Sequence, residues 1–105
     1  MTANSSLLAN RALPEGLVSV RTTPTFTKSS VPPGLLNNHK TSVWARLEVE
    51  KGTLKFTEPA CDKHDGQEER TVTKGEYQII APDTLHFVEP EVDCEFHIEF
   101  HDKGK

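Results

Sequence analysis

Apolar and polar residues alternate along two segments of the chain, and a period of two predicts half-buried β-strands. At the start of the segment 42–56, Val43, Ala45, Leu47 and Val49 alternate with Trp44, Arg46, Glu48 and Glu50. Within residues 94–101 they are Phe96, Ile98 and Phe100. Because successive side chains of a strand point to opposite faces, these apolar sets are expected to face the core.

Turn residues divide the rest of the chain into further short strands. The predicted strands are "LVSVR" (17–21), "TFTK" (25–28), "TLKF" (53–56), "TVT" (71–73), "YQIIA" (77–81) and "LHFVEP" (85–90). The "EKG" sequence at 50–52 predicts a tight hairpin, since Gly52 can adopt a positive φ. Residues 30–40 and 58–70 are rich in turn-forming or charged residues and are predicted to be loops.

About eight short strands without a long helix predict an all-β fold, a sandwich or barrel, and the long connections favour a jelly roll of antiparallel strands. The 105 residues suffice for one domain with one core. We expect an N-terminal arm over residues 1–13, as a short helical turn or a loose segment. A single β-barrel domain is expected over 14–105.

Composition excludes some classes of partner. The net charge is −4 and the basic residues are scattered among acidic ones, which argues against nucleic acid. No apolar stretch has the length of a membrane span, and the start does not resemble a secretory signal, so we expect a cytoplasmic protein without a membrane partner. Cys61 and Cys94 are expected to be free thiols. Cys61 and His64 are spaced like half of a zinc site, but no second such pair completes a zinc finger.

The histidines differ in their expected orientation. His97 and His101 alternate with the apolar residues of their strand, so they are expected on its outer face, and His64 lies in a charged loop. His39 and His86 remain, each where a turn meets a strand. Neutral imidazole binds transition metals, but a catalytic zinc usually has three protein ligands. The pair therefore predicts either an incomplete metal site or two hydrogen-bonded residues at a barrel mouth.

The segment "GEYQIIAPDTLHF" resembles the second conserved motif of the cupins, in which a glycine, a strand and a proline-containing turn precede a histidine. The segment "HKTSVWARLEVEKG" stands in the place of the first cupin motif. His39 matches the first histidine of that motif, while its second histidine position falls on Thr41 and its glutamate position on Ala45. Two of the four cupin metal ligands are thus replaced.

Several features in order resemble the YeaR-like small cupin-like proteins, also found as the domain associated with the tellurite-resistance protein TehB. They are "RTTPTFTKSSVPPGLL", His39, "ARLEVEKGTLKF", "APDTLHFVEP" and "EFHIEF". The resemblance covers about residues 14–100. It implies a cytoplasmic cupin-like jelly roll with a bound divalent transition metal, zinc as the first candidate, and His39 and His86 as ligands. Arg46 also matches the pattern, although its position predicts the outer face.

Three functions follow from these features. The first is a non-catalytic module that binds a metal ion or small anion and is linked to tellurite or oxyanion resistance. The second is a metal-dependent cupin enzyme of dioxygenase or isomerase type, and the third is a ligand-free accessory or interaction domain. The sequence favours a binding module, because Glu48 and Glu99 are expected to point outward and no inward carboxylate is identified as a base.

Two further expectations concern the rest of the molecule. The chain lacks the glycine-rich nucleotide loop and the βαβ pattern of a methyltransferase domain. Trp44 is expected on the outer face of its strand, where a lone tryptophan is often an interface anchor, so a homodimer is expected.

Overall fold

Eight strands form most of the chain in the computed structural model, which describes residues 6–60 and 66–103. The strands are β1 (Leu17–Thr22), β2 (Phe26–Thr27), β3 (Trp44–Lys51), β4 (Thr53–Glu58), β5 (Glu68–Thr73), β6 (Tyr77–Ile80), β7 (Phe87–Pro90) and β8 (Glu95–Lys103). A four-residue helix, α1 (Ser6–Ala9), precedes them, and a short 3-10 helix spans Pro33–Leu36. The all-β fold is confirmed. Neither helix has the length and hydropathy needed to cross a membrane.

The strands are arranged in two antiparallel sheets. The five-stranded sheet has the order β1-β8-β3-β6, with β2 also paired to β8, and the three-stranded sheet has the order β5-β4-β7. Within the described ranges no strand ladder joins the two sheets. The strands therefore form two separate sheets there and not the expected closed barrel. Their inner faces share one hydrophobic core.

The alternation in β3 and β8 predicted the core correctly. Ala45, Leu47 and Val49 are fully buried, and Ile98 of the neighbouring β8 is 5% exposed. Leu54 and Phe56 from the opposite sheet are also fully buried. Burial of the valine, leucine, isoleucine and phenylalanine side chains contributes roughly 1.5–3 kcal/mol each, so this layer is the main source of stability.

The tight turn at Gly52 differs from the predicted hairpin. β3 pairs with β6 and β8, whereas β4 pairs with β5 and β7, so the turn carries the chain from one sheet to the other. The β5–β6 turn crosses back beside it, and the Gly75 N–H donates to the Val49 carbonyl at 3.0 Å. A hairpin and a corner both require a residue with positive φ, so the local sequence does not distinguish them.

Replacing Gly52 by alanine is expected to lower the free energy of unfolding by about 2 kcal/mol. Gly52 has a φ of 74°, and an added Cβ would lie 2.9 Å from Asp93 Oδ1 and 3.0 Å from Cys94 Cα. The matched control is Gly75→Ala, where φ is 87° but nothing lies within 4 Å of the added Cβ, so only the backbone cost of about 1 kcal/mol applies. Urea unfolding checks this, and equal losses would contradict the close approach at Gly52.

The predicted charged loop is shorter than expected. The sequence predicts a loop over residues 58–70, but β4 continues to Glu58 and β5 begins at Glu68. Cys61 and His64 lie outside the described residues. Cys94 is a fully buried free thiol, as expected for an unpaired cysteine, and burial raises its pKa to about 11.

Candidate functional site

His39 and His86 meet where the segments before β3 and β7 run side by side. The His39 N–H donates to the His86 carbonyl at 3.0 Å, and the His86 N–H donates to the His39 carbonyl at 2.8 Å. Their ring centroids are 4.2 Å apart, with an angle of 63° between the ring planes. Because β3 and β7 belong to different sheets, this isolated pair connects the two sheets.

A strained turn positions the second of these segments. Asp83 has a φ of 57°, in the left-handed region that aspartate tolerates better than most residues. Its N–H donates to the Thr41 carbonyl at 2.7 Å, which adds a second contact between the two segments. The turn between Pro82 and His86 is therefore held against the segment 39–41.

Hydrogen bonds fix the tautomer of both rings. Nδ1 of His39 lies 2.9 Å from the Asn37 carbonyl, and Nδ1 of His86 lies 2.9 Å from the Thr84 carbonyl. A carbonyl oxygen only accepts, so each Nδ1 carries the hydrogen and each neutral ring has its lone pair on Nε2. A backbone carbonyl on the second ring nitrogen is the usual support of a metal-binding histidine.

The environment of His86 keeps its ring neutral. The residue is 2% exposed, and its ring stacks on Phe56 with centroids 5.4 Å apart. Burial lowers the pKa of His86 from its ordinary value of 6.5 to about 4, and the hydrogen bond to Thr84 opposes this only in part. The lone pair on Nε2 is thus free of a proton at neutral pH.

Glu58, which is not among the residues predicted from the sequence, is a buried carboxylate near this pair. The β4–β7 ladder ends with Thr57 opposite Phe87, so Glu58 lies one position beyond it, on the side of His86. Glu58 is fully buried, and its charge acts to raise the pKa of His86. The statement that no carboxylate points inward is therefore wrong. Counting on by twos from Leu54 and Phe56 would have identified it.

The charge of Glu58 is balanced by an arginine from the N-terminal arm. Arg11 binds both carboxylate oxygens, with Nη2 3.0 Å from Oε1 and Nη1 at 2.5 Å from Oε2. The exposed fractions of the two side chains are 16% and 0%. Leu8 of the same arm is 1% exposed within the core. Residues 8–11 thus supply both apolar and ionic contacts to the interior.

A buried amide links the same region to the edges of both sheets. Gln78 of β6 is fully buried, and its Nε2 donates to the Leu8 carbonyl at 2.9 Å. Arg70 of β5 donates to Gln78 Oε1 at 3.0 Å and to the Tyr77 carbonyl at 2.8 Å. These contacts join β5, β6 and the arm.

The cupin ligand positions that fall on Thr41 and Ala45 add no metal ligand to the histidine pair. Across residues 6–60 and 66–103, no three His, Cys, Asp or Glu side chains are grouped as a metal site. Ala45 is buried in the core, and Thr41 donates its hydroxyl to the Val43 carbonyl at 2.7 Å. Two imidazoles are therefore the donor set that the structure brings together.

The remaining described histidines lie on the outer face of β8, as predicted. His97 Nδ1 lies 2.6 Å from Glu50 Oε2, and this hydrogen bond lowers the pKa of Glu50. His101 Nε2 lies 2.7 Å from Glu99 Oε1. Arg46 is also on the outer face, with its guanidinium 4.4 Å from the centre of the Tyr77 ring.

A pocket of about 290 Å³ opens beside His39. It lies between the 3-10 helix and the inner side of β1, β2 and β8. Its main lining side chains are apolar, with two ionisable groups: Phe26, Leu35, Ile98, Phe100, Arg21 and His39. None of the described residues that line it is acidic.

Solved structures of known proteins share this fold. The chain superimposes on the crystal structure of an Escherichia coli (strain K12) protein, a Northeast Structural Genomics Consortium target, with a TM-score of 0.80 and 23% identity over 90% of this chain and 99% of that one. It superimposes on TehB from Haemophilus influenzae with a TM-score of 0.75 and 29% identity over 85% of this chain. The chain spans only 32% of that TehB chain.

Sequence comparison identifies the family. No curated protein sequence matches the chain. The family profile described as a TehB-like domain matches residues 21–98, which include both His39 and His86. That match covers most of the chain, and the chain belongs to the TehB-like domain family.

Proposed function

We propose that this domain binds a divalent transition metal, zinc as the first candidate, or a small ligand through His39 and His86, and is not catalytic by itself. The observation that supports this most is the shared tautomer of the two rings. Both Nδ1 atoms are bound to backbone carbonyls, so both Nε2 lone pairs remain for a ligand.

The donor set suits a metal with open positions. Two imidazoles leave at least two positions of a tetrahedral zinc for water or a bound molecule. When bound, such a metal would supply Lewis acidity or an anchor for an anion. The protein contributes rigid ligands, since His86 is buried against Phe56 and both backbones are bonded to each other.

A metal-dependent enzyme is the second candidate, and Glu58 is the observation that favours it. This carboxylate is near enough to His86 for its charge to act on the imidazole, and a general base would be useful there. Both of its oxygens, however, face the Arg11 guanidinium. Both oxygens are thus engaged in an ion pair, and we favour binding over catalysis.

We further propose that the fold is a cupin-like jelly roll and that the domain has a role in tellurite or oxyanion resistance. The two-sheet arrangement with chain crossings at the corners agrees with a cupin-like jelly roll. Membership of the TehB-like family supports a link to tellurite or oxyanion resistance. In this role the domain would hold or sense an ion or small molecule beside a separate enzyme.

Zinc titration of the metal-free protein, purified without a histidine tag, tests the metal centre. Calorimetry is expected to show one zinc per chain, and His39→Ala and His86→Ala should each weaken binding by at least about tenfold. The matched control is His101→Ala, which removes an imidazole from the outer face and should leave the affinity unchanged. Binding that persists in both site variants, or is never observed, would overturn the metal centre.

The biological link is tested with the same variants. Tellurite tolerance should fall in a strain that lacks the protein, and the wild-type and His101→Ala proteins should restore it. Failure of His39→Ala and His86→Ala to restore it would connect the role to the histidine pair. Full restoration by both would separate resistance from this site.

A further inference from the structure

We infer that the pocket beside His39 binds a small monocarboxylate with a short apolar body, through Arg21. The inference goes beyond the proposed function and does not require the metal, although His39 belongs both to the pocket wall and to the proposed metal centre. The pocket offers a single guanidinium at its rim, an apolar interior and no acidic lining residue among those described.

Arg21 is available to bind an anion. Its guanidinium lies 4.7 Å from the centre of the Phe100 ring, which orients the group through a cation–π contact. None of the described acidic side chains forms an ion pair with it. Arg21 is exposed, so its N–H groups remain accessible, and a guanidinium has paired N–H donors that match a carboxylate.

The polar group next to Arg21 is already engaged. The Thr23 hydroxyl donates to the Pro24 carbonyl at 2.9 Å and accepts the Ile98 N–H at 2.9 Å. It therefore has little capacity left for a ligand. Arg21 is the anion-binding group of this wall, and one positive charge matches a monoanion better than a dianion.

The interior of the pocket selects an apolar body of limited size. Phe26, Leu35 and Ile98 line it with carbon atoms. Its volume of about 290 Å³ equals the share of roughly ten water molecules in the liquid. A carboxylic acid with about eight non-hydrogen atoms fits this space, with its carboxylate at Arg21 and its other end toward His39.

Three probes separate the contributions of charge and apolar contact. Hexanoate has both a carboxylate and an apolar chain, hexan-1-ol has the chain alone, and acetate has the charge alone. In NMR titrations of the metal-free protein, hexanoate is expected to bind with a Kd of about 1 mM and to shift the amide signals of Ile98 and Phe100. Acetate and hexan-1-ol are each expected to bind at least about tenfold more weakly.

Arg21→Gln should weaken hexanoate by about tenfold without changing the affinity for hexan-1-ol. Arg21→Lys should give a smaller loss, since it keeps the charge but not the paired donors. The matched control is Arg46→Gln, which removes another guanidinium stacked on a ring, at Tyr77, from outside the pocket. It should leave hexanoate binding unchanged, and unfolding midpoints confirm that all variants are folded.

The outcomes distinguish this inference from the metal proposal. Binding of hexanoate that depends on Arg21 in a protein that takes up no zinc would support the carboxylate pocket and overturn the metal centre. Zinc uptake without any hexanoate binding, in metal-free or zinc-loaded protein, would overturn the carboxylate pocket alone. Hexanoate binding that is equal in wild type and Arg21→Gln, or no tighter than acetate, would also overturn it.

Discussion

Replacing Arg11 by methionine is expected to lower the free energy of unfolding by about 3 kcal/mol or more. The substitution keeps an unbranched side chain but removes the positive charge that faces the fully buried Glu58. A carboxylate inside a protein is costly without a compensating cation, and this cost is larger than the net gain from forming the pair. Urea unfolding at pH 7, followed by circular dichroism, measures the loss.

Two comparisons make this result specific. The double variant Arg11→Met with Glu58→Leu should be less destabilised than Arg11→Met alone, because it removes both charges. Lys55→Met breaks the Lys55–Glu89 pair, whose side chains are 44% and 54% exposed, and should cost less than about 1 kcal/mol. A loss at Arg11 no larger than that at Lys55 would contradict the importance of the buried pair.

Acid should destabilise the metal-free protein through His86. Its pKa in the folded state is about 4, below the ordinary value of 6.5, so the unfolded chain takes up this proton first as the pH falls. The contribution to stability is complete above pH 6.5 and is lost between 6.5 and about 4. The loss over this window is about 3 kcal/mol.

The variant His86→Asn isolates this effect, since its amide keeps a hydrogen donor for the Thr84 carbonyl but does not titrate. The difference in unfolding free energy between wild type and variant should change by about 3 kcal/mol between pH 7 and pH 4. Taking the difference between the two proteins cancels the titration of the other groups. The control His101→Asn, on the outer face, should retain the wild-type pH dependence. A constant difference between wild type and His86→Asn would contradict the buried neutral imidazole.

The parts of the fold that depend on local alternation could be predicted from the sequence. The inner faces of β3 and β8 follow from a strict period of two, and the junction positions of His39 and His86 led to the candidate pair. The pairing of β4 could not be predicted, because Gly52 permits either a hairpin or a corner. Only contacts with distant strands decide between them.

Glu58 shows a different limit of sequence reasoning. It lies between Thr57 and Pro59 at the start of a predicted loop, and a charged residue is rarely buried without a partner. That partner, Arg11, lies 47 positions away in the sequence. Strand parity predicts the direction of the Glu58 side chain, but no local pattern predicts that a distant arginine compensates its charge.

The placement of Leu8 and Arg11 bears on where this domain can be cut. The family signature begins at residue 21, so a fragment designed from that signature would omit Leu8, which is 1% exposed, and the guanidinium that faces Glu58. The autonomous folding unit therefore extends further toward the amino terminus than the recognisable family sequence. Truncations and amino-terminal fusions should preserve residues 6–20 if the excised domain is to keep a filled and charge-balanced interior.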